Sequence, residues 1–421
     1  MSASSPEARP FRLQFLVYAV AFFVGSHFLM ISVVMPLWAL QLGASPLLIG
    51  LIISARQILV VTMAIHGGAL IDRHGPRRMI IVLGLCGAAL LICYPLAPFI
   101  WATVLLQFLS GWLETTSWIG AQALVGRLLG GAPLYTGRMT SAARLGSFAA
   151  PVAAGLVWQN YGSFWGFTFI AGWVLTGVLI TACLPRREEI YSAPAPARAE
   201  ETAESIPAPG AAETSRKGLL PSFSDYATTF RLLALPAVAL VICCTFMRQA
   251  GSGIQSSFYG VWLKEIGFDA AAIGLFIGIS NGVSAVAALT VGWATRFVAV
   301  HWLLIGMTIL AVAAIAITPV LGTFLTLAVA IGLRGWGQGY NFPLMLSLAS
   351  QAVGPHLQAR VVALRISFNK FGGALVPFIM GAVAEFTGIE YAFYIIGTAG
   401  VLALIGLGIW AGLSPAFKAR A

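Results

Sequence analysis

Ionisable side chains lie in the middle of otherwise apolar segments of this chain. The first half carries one deeply placed carboxylate, Glu114, together with Arg56 and His27, and the second half carries Arg248 and Arg334. A charge inside an apolar segment is costly unless it faces water or a partner, so such residues mark function by default. Because the basic residues outnumber the acids, they cannot all be paired. The pattern predicts a water-filled cavity that binds anions.

Polar side chains accompany these charges and define a candidate substrate site. Guanidinium groups form paired hydrogen bonds with carboxylates and phosphates, which makes them suitable for holding an anionic group. Arg144 and Arg365 lie nearer the ends of their segments, where a structural pair or a helix-end contact fits them better. The predicted substrate-binding residues are Arg56, Gln57, Arg248, Gln249, Asn281, Arg334, Gln338, Asn341 and Lys370.

Glu114 and His27 are the candidates for proton coupling. A carboxylate at mid-depth whose exposure alternates would gain and lose a proton, and histidine changes charge near neutral pH. Two alternatives remain open: Glu114 forms a permanent ion pair with Arg56, and His27 is a hydrogen-bonding core residue. The sequence contains no Walker loop, paired-carboxylate pattern or metal-ligand cluster. We therefore expect no catalytic residue, metal or cofactor, and an ion or solute gradient as the energy source.

The composition indicates that these residues lie in a membrane. The chain has 421 residues, of which 59% are hydrophobic and 9% charged, whereas soluble domains contain about a quarter charged residues. From Leu13 to Ala55 His27 is the one side chain that ionises near neutral pH, and this run is about twice as long as a single span needs. The net charge of +10 does not indicate a nucleic-acid partner, because no basic stripe is interleaved with aromatic residues.

Apolar runs separated by polar breaks predict twelve membrane spans. Outside the spans, most Lys and Arg fall on the side that holds both termini, and the positive-inside bias identifies this side as the cytoplasm. We expect the protein in the inner membrane of the cell. The spans are predicted near 13–40, 47–71, 78–96, 99–129, 138–160, 164–184, 232–263, 271–295, 300–318, 322–351, 359–385 and 389–413.

The spans divide into two halves, 13–184 and 232–413, with six helices each. Residues 1–12 and 414–421 form the two cytoplasmic termini. The connection 185–231 is rich in Ala, Pro, Glu and Ser, and we expect it to be a partly disordered cytoplasmic linker.

The two halves repeat each other at a nearly constant offset. Parallel repeats of six helices are related by an axis along the membrane normal, and a binding site is expected near mid-depth between them. At what we call the first offset, Trp38 matches Trp262, Gly50 matches Gly274 and Gly111 matches Gly335. At a slightly longer second offset, Gly146 matches Gly372, Pro151 matches Pro377, Gly155 matches Gly381 and Gly162 matches Gly388.

The loop between spans 2 and 3, GGALIDRHGPRR at 67–78, concentrates charge. Gly68 lets a neighbouring helix approach and Gly75 permits a tight reversal. Asp72 lies at the membrane edge, where a carboxylate favours the positive N-terminal end of span 11. The pattern resembles the loop signature of the major facilitator superfamily, and the likeness extends over the whole chain. The residues that match the signature are Gly68, Asp72, Arg73, Gly75, Arg77 and Arg78.

The resemblance implies an all-α membrane protein with twelve transmembrane helices in two pseudo-symmetric halves. It also implies that the loop residues latch the halves when the cytoplasmic side is shut. Alternatively, the arginines set the topology and bind anionic lipid headgroups. The second half carries Arg296 where the first has Asp72, so any latch is asymmetric.

The expected function is secondary active transport of a small organic, anionic or zwitterionic solute by alternating access with proton coupling, and not an enzymatic reaction. We expect a monomer that contacts membrane lipids and binds no nucleic acid. Two alternatives remain: an antiporter that exports apolar or cationic drugs or metabolites in exchange for protons, and a lipid flippase. The pattern from Gly146 to Gly155 is similar to the signature of drug:proton antiporters, but Gln107 replaces the span 4 arginine of that group.

Overall fold

The computed structural model describes residues 10–129, 133–185, 231–352 and 355–418, and these residues are almost entirely helical. In the first half, α1 is Phe11–Gln41, α2 is Pro46–His74, α3 is Pro76–Leu96 and α4 is Ile100–Leu129. The helical stretch Pro133–Ala182 is interrupted at Gly162, which divides it into α5 (133–161) and α6 (163–182).

The second half has the same number of long helices. Helix α7 runs from Pro236 to Glu265 and includes a π-helical turn, Gln255–Tyr259. The others are α8 (Ala270–Ala294), α9 (Val300–Ala316), α10 (Phe324–Ala352), α11 (Pro355–Thr387), α12 (Ile389–Leu413) and a short α13 (Pro415–Lys418), with 3-10 turns at Leu232–Ala234 and Thr318–Val320.

Helices α1 to α12 coincide with the twelve predicted spans, which confirms the fold class. Within the described part of the chain, seven helical segments are both long and apolar enough to cross a bilayer, and Pro46–Val61 and Val300–Ala316 are shorter apolar stretches. The expected linker and termini fall mostly outside the described residues, which omit 1–9, 186–230 and 419–421.

The ends of several helices follow from local sequence. Pro46 and Pro76 occupy the first turn of α2 and α3, where the missing N–H costs no hydrogen bond. Gly75 is the single residue between these helices and has φ 84° and ψ 146°, which confirms the predicted tight reversal. Gly162 and Gly388, which the repeat matches, have φ values of 79° and 88° and separate α5 from α6 and α11 from α12.

The halves contact each other mainly through two helix pairs, α2 with α11 and α5 with α8. Gly50 in α2 lies so close to the backbone of Pro377 and Gly381 in α11 that a Cβ atom would collide there. Gly274 in α8 meets the backbone of Pro151 in α5 in the same way. Because the repeat matches these residues, it corresponds to a pseudo-twofold axis in the structure. In α5, Gly155 meets the backbone of Ala270 in the other half, whereas Gly146 packs against Phe22 and Ser26 of α1 in its own half.

Two hydrogen bonds between the halves repeat this symmetry at the side of the bundle opposite the termini, which we call the far side. The N–H of Leu47 at the start of α2 donates to Oε2 of Glu385 in α11 over 3.0 Å. The N–H of Ala271 at the start of α8 donates to Oε1 of Gln159 in α5 over 3.1 Å. The two donors match at the first offset and the two acceptors at the second, as the repeat requires. We call these two bonds the far-side caps.

Candidate functional site

A cavity of about 350 Å³ lies between the two halves. This volume is within the range of about 300 to 1,000 Å³ of small-molecule sites. All but one of the predicted substrate-binding residues line it, and these are Arg56, Gln57, Arg248, Gln249, Asn281, Arg334, Gln338 and Lys370.

Asn341 is the predicted residue that the structure does not bring to the cavity. Its Oδ1 accepts a hydrogen bond of 2.7 Å from Oγ1 of Thr308 in α9, and its side chain is buried between α9 and α10. The side chain thus contacts α9 and does not line the cavity, while its Nδ2 is buried without a partner among the described residues. Its predicted role in substrate binding stays a prediction.

The carboxylate of the first half is paired. Nη2 of Arg56 donates to Oε2 of Glu114, and Nε2 of His27 lies 3.6 Å from the same oxygen. The pair forms because α4 approaches α2 closely: a Cβ atom at Gly111 would collide with the carbonyl of Arg56. The guanidinium carbon of Arg56 also lies 4.5 Å from the ring centroid of Phe28. The ion pair that the sequence left open is thus present in this conformation, and proton uptake by Glu114 would require the pair to open.

A second, smaller cavity of about 40 Å³ lies inside the first half. His27, Arg56, Ser110, Glu114 and Ser117 line it together with apolar residues of α3 and α6. A space of this size with several polar groups can hold ordered water. Since Arg56 lines both cavities, it connects the carboxylate to the space between the halves.

The basic residues of the second half have neutral partners. Nη1 of Arg334 donates to Oγ of Ser280 over 2.8 Å, and the side chain is 2% exposed. Nη1 of Arg248 donates to Oγ of Ser252 over 3.2 Å, and Nη2 donates to Oδ1 of Asn369. Throughout the described ranges, no carboxylate lies within ion-pair distance of either guanidinium group.

Lys370 of the second half approaches the first half. Its Nζ lies 3.5 Å from Oγ1 of Thr115 in α4. Like the two arginines of the second half, it has no ion pair with a carboxylate of the described residues. Arg248, Arg334 and Lys370 thus line the cavity with no negative charge beside them in the described residues, whereas Arg56 is paired with Glu114.

Several lining residues were not among the predicted ones. Arg144 lines the cavity, although its position near the end of span 5 had favoured a structural role. It matches Lys370 at the second offset, so the repeat itself contains the signal that places it there. Ser32 and Ser256, which match at the first offset, also line the cavity, as do Phe28, Ser147 and Ser252. Small hydroxyl residues are common in membrane helices, and their type alone does not mark a site.

The predicted gating residues are placed only in part. Nη2 of Arg77 donates to the carbonyl oxygen of Ala182 at the end of α6 over 2.7 Å, which ties the loop to its own half. Arg78 is exposed. The side-chain surroundings of Gly68, Asp72 and Arg73 lie outside the described residues, and the latch stays a prediction.

In the described residues, twelve long helices, with seven helical segments long and apolar enough to cross a membrane, form two repeats around a polar cavity, which is the architecture of a multi-pass membrane transport protein. The family model described as the Major Facilitator Superfamily matches residues 15–241 and 241–420. The chain belongs to this superfamily and is a secondary transporter.

Solved structures show the same fold at low sequence identity. A mutant of the nucleoside transporter NupG is 14% identical and has a TM-score of 0.75, covering 94% of this chain and 99% of that one. A bacterial homolog of the human lysosomal transporter Spinster, in an inward-facing and unoccupied conformation, is 14% identical with a TM-score of 0.68, covering 96% of each chain. A POT family transporter in complex with a thioalcohol-conjugated peptide is 13% identical with a TM-score of 0.71, covering 95% and 96%. A comparison with curated proteins finds no match.

Proposed function

We propose that this protein transports a small organic anion, or a zwitterion held through its anionic group, by alternating access of the central cavity. The observation that carries the proposal is the charge of the cavity wall. Five basic side chains line the cavity, and one of them is paired with Glu114. The five are Arg56, Arg144, Arg248, Arg334 and Lys370.

The physical reason is the cost of holding like charges together away from bulk water. Charges of the same sign repel strongly where the effective dielectric constant is low, and an anion between them relieves this repulsion. Guanidinium forks bind carboxylate and phosphate oxygens, and the amides of Gln57, Gln249 and Asn281 orient the remaining polar groups of a solute. A cationic drug would meet charge of its own sign, which disfavours cationic efflux.

The packing of the halves supports alternating access. The halves meet through close backbone contacts at Gly50 and Gly274, where no side chains interlock, and we propose that they rock along these contacts around the central site. We propose that both termini face the cytoplasm of the inner membrane, because the basic residues are concentrated on that side. The asymmetric latch at Asp72 would then stabilise the state closed on the cytoplasmic side.

We propose that Glu114 couples transport to protons. In this conformation Arg56 holds its carboxylate, and the small cavity gives it a polar surrounding next to His27. An anion that binds Arg56 from the central cavity weakens the pair, so that Glu114 can accept a proton.

The substrate class is tested with the purified full-length protein. Thermal unfolding is measured with organic anions, siderophores and cationic drugs, and a stabilising compound is then followed in counterflow exchange across liposomes. We expect stabilisation and exchange with anions. Stabilisation by cationic compounds alone would contradict the proposal.

The coupling is tested with Glu114→Gln, which keeps the size of the side chain and removes its titration. We expect counterflow exchange to survive while accumulation driven by a pH gradient disappears. Glu265→Gln, the same change at an exposed residue on the far side, serves as the control and should leave both activities unchanged. Unchanged accumulation in Glu114→Gln would contradict the proposed role of Glu114 in proton coupling.

A further inference from the structure

Two buried donors in the wall of the cavity have no acceptor. Among the residues that the structure describes, neither Nε of Arg334 nor Nε2 of Gln255 has a hydrogen-bond partner. Both residues line the cavity, and the side chain of Arg334 is almost fully buried. A buried donor without an acceptor is costly, so native proteins rarely leave one without a role. Both nitrogen atoms are themselves buried, so a ligand oxygen in the cavity accepts from them only when the two side chains rotate toward it.

Arg248 belongs to a polar network that joins α7 to α10. Oγ of Ser252 accepts from Nη1 of Arg248 over 3.2 Å and from Nε2 of Gln338 over 2.8 Å. Gln338 follows Arg334 by one turn of α10. The network thus connects α7 with α10, while Arg334 lines the same cavity through a separate bond to Ser280 of α8, and both guanidinium groups have neutral partners.

The backbone of α7 departs from a regular α-helix at this place. The π-helical turn Gln255–Tyr259 begins at the residue with the orphaned donor. Single π-helical turns occur frequently at functional sites, because they change which side chains face one direction. The equivalent residue in the first half, Ile31, is apolar and lies in the regular helix α1.

The two halves differ in how their arginines are compensated. In the first half Arg56 is paired with Glu114. The repeat matches Glu114 with Gln338, which carries no charge, and matches the arginines of the second half with Ser110 and Val24. The second half has therefore gained two guanidinium charges without a carboxylate beside them in the part of the chain that is described. Two negative charges on the ligand would balance these two guanidinium groups; Arg144 and Lys370, which also line the cavity, are not part of this count.

We propose that Arg248, Arg334 and Gln255 form a subsite for a dianionic oxyanion group, either a dicarboxylate or a phosphate monoester, and that the transporter selects dianions over monoanions. This subsite rests on the proposed function and specifies its substrate class. One arginine binds each negative charge, and Gln255 donates to a further oxygen. A monoanion leaves one guanidinium group without a counter-charge.

The charge of the ligand is varied on a constant skeleton to test the subsite. Succinate, monomethyl succinate and dimethyl succinate carry two, one and no negative charges at neutral pH. Glycerol 3-phosphate and glycerol form the phosphate arm. Binding to the purified full-length protein is measured by calorimetry and by the shift in unfolding temperature. In one of the two arms we expect the dianion to bind at least about tenfold more tightly than its less charged analogues.

Variants connect this preference to the named residues. Arg334→Gln and Arg248→Gln should each weaken binding of the dianion about tenfold and bring its preference over the monoanion close to one. Gln255→Ile introduces the residue found at the equivalent position of α1. It should weaken the binding of the dianion and leave the fold intact. Arg296→Gln removes the same charge from an exposed site at the end of α8 and should change neither affinity.

The outcomes separate the subsite from the proposed function. If succinate and monomethyl succinate bind equally tightly and glycerol 3-phosphate shows no preference over its uncharged analogue, the subsite is wrong, and anion transport stands as long as anions bind. If only neutral or cationic compounds bind, both are wrong. If the dianion is preferred but Gln255→Ile and the two arginine variants retain that preference while folded, the subsite lies elsewhere and the assignment is overturned.

Discussion

The far-side caps are expected to stabilise the conformation described here. Each cap satisfies an N–H group in the first turn of a helix with a side chain from the other half. Loss of such a cap costs about 1 kcal/mol. A movement that separates the halves on the far side breaks both caps, so together they contribute about 2 kcal/mol, or about a 30-fold shift between the closed and open states.

The two caps should respond differently to exchanging Glu and Gln. Nε2 of Gln159 also donates to Oδ2 of Asp269 over 2.9 Å, whereas the repeat places Ser45 at the position of Asp269. Each cap thus contains one carboxylate. Glu385→Gln keeps the acceptor oxygen and should change little. Gln159→Glu places two carboxylates side by side, and their repulsion costs at least about 1 kcal/mol even at the dielectric constant of water.

Hydrogen exchange measured by mass spectrometry tests this reasoning at the starts of α2 and α8. In Gln159→Glu we expect exchange at Ala271 to rise at least about fivefold, which corresponds to about 1 kcal/mol. Exchange at Leu47 should rise with it, because one movement opens both caps. Glu385→Gln should stay close to the wild type. Equal effects of the two substitutions, or acceleration confined to the mutated cap, would refute the coupling of the caps.

Two further substitutions, with Gly172→Ala as a control for the first, test the packing beside Arg56 and the contact of the loop at Arg77. Gly111→Ala should destabilise the protein by at least about 2 kcal/mol and reduce transport, because the added Cβ collides with the carbonyl of Arg56. Gly172→Ala is the control: no atom lies within 4 Å of that position, so the substitution should be neutral or slightly stabilising in thermal unfolding. Arg77→Ala removes the hydrogen bond to the end of α6 and should lower stability by about 1 kcal/mol. Counterflow exchange at saturating substrate should survive in Arg77→Ala, and its loss would indicate that Arg77 also takes part in gating.

The sequence predicted most of the cavity wall for a simple reason. Charged and amide side chains in the middle of apolar spans have few stable surroundings other than a polar cavity, which is where Arg248, Arg334 and Lys370 lie. Asn341 shows where this reasoning stops. Its type and depth resemble those of Asn281, but the direction of its side chain on α10 brings it to Thr308. Depth can be counted along a sequence, whereas the direction of a side chain depends on how the helix is rotated in the bundle.

The repeat contained more information than residue type did. It matches Arg144 with Lys370 and Ser32 with Ser256, and all four line the cavity. It does not indicate which member of a pair keeps a charge. The pairing of Arg56 with Glu114, and the absence of a carboxylate beside Arg334 within the described residues, became visible only with distances between helices.

The sequence by itself determined the class of the protein through its twelve apolar spans, two parallel repeats and tight charged loop at Gly75. These features can be read from the sequence because the length of an apolar run and the conformation of a turn depend on residues that are neighbours in the chain. Only the tertiary structure decided which charges are compensated. It also decided which glycines join the halves and that Glu385 and Gln159 cap helices of the opposite half. These features depend on contacts between residues far apart in the chain, which the spacing of residue types does not specify.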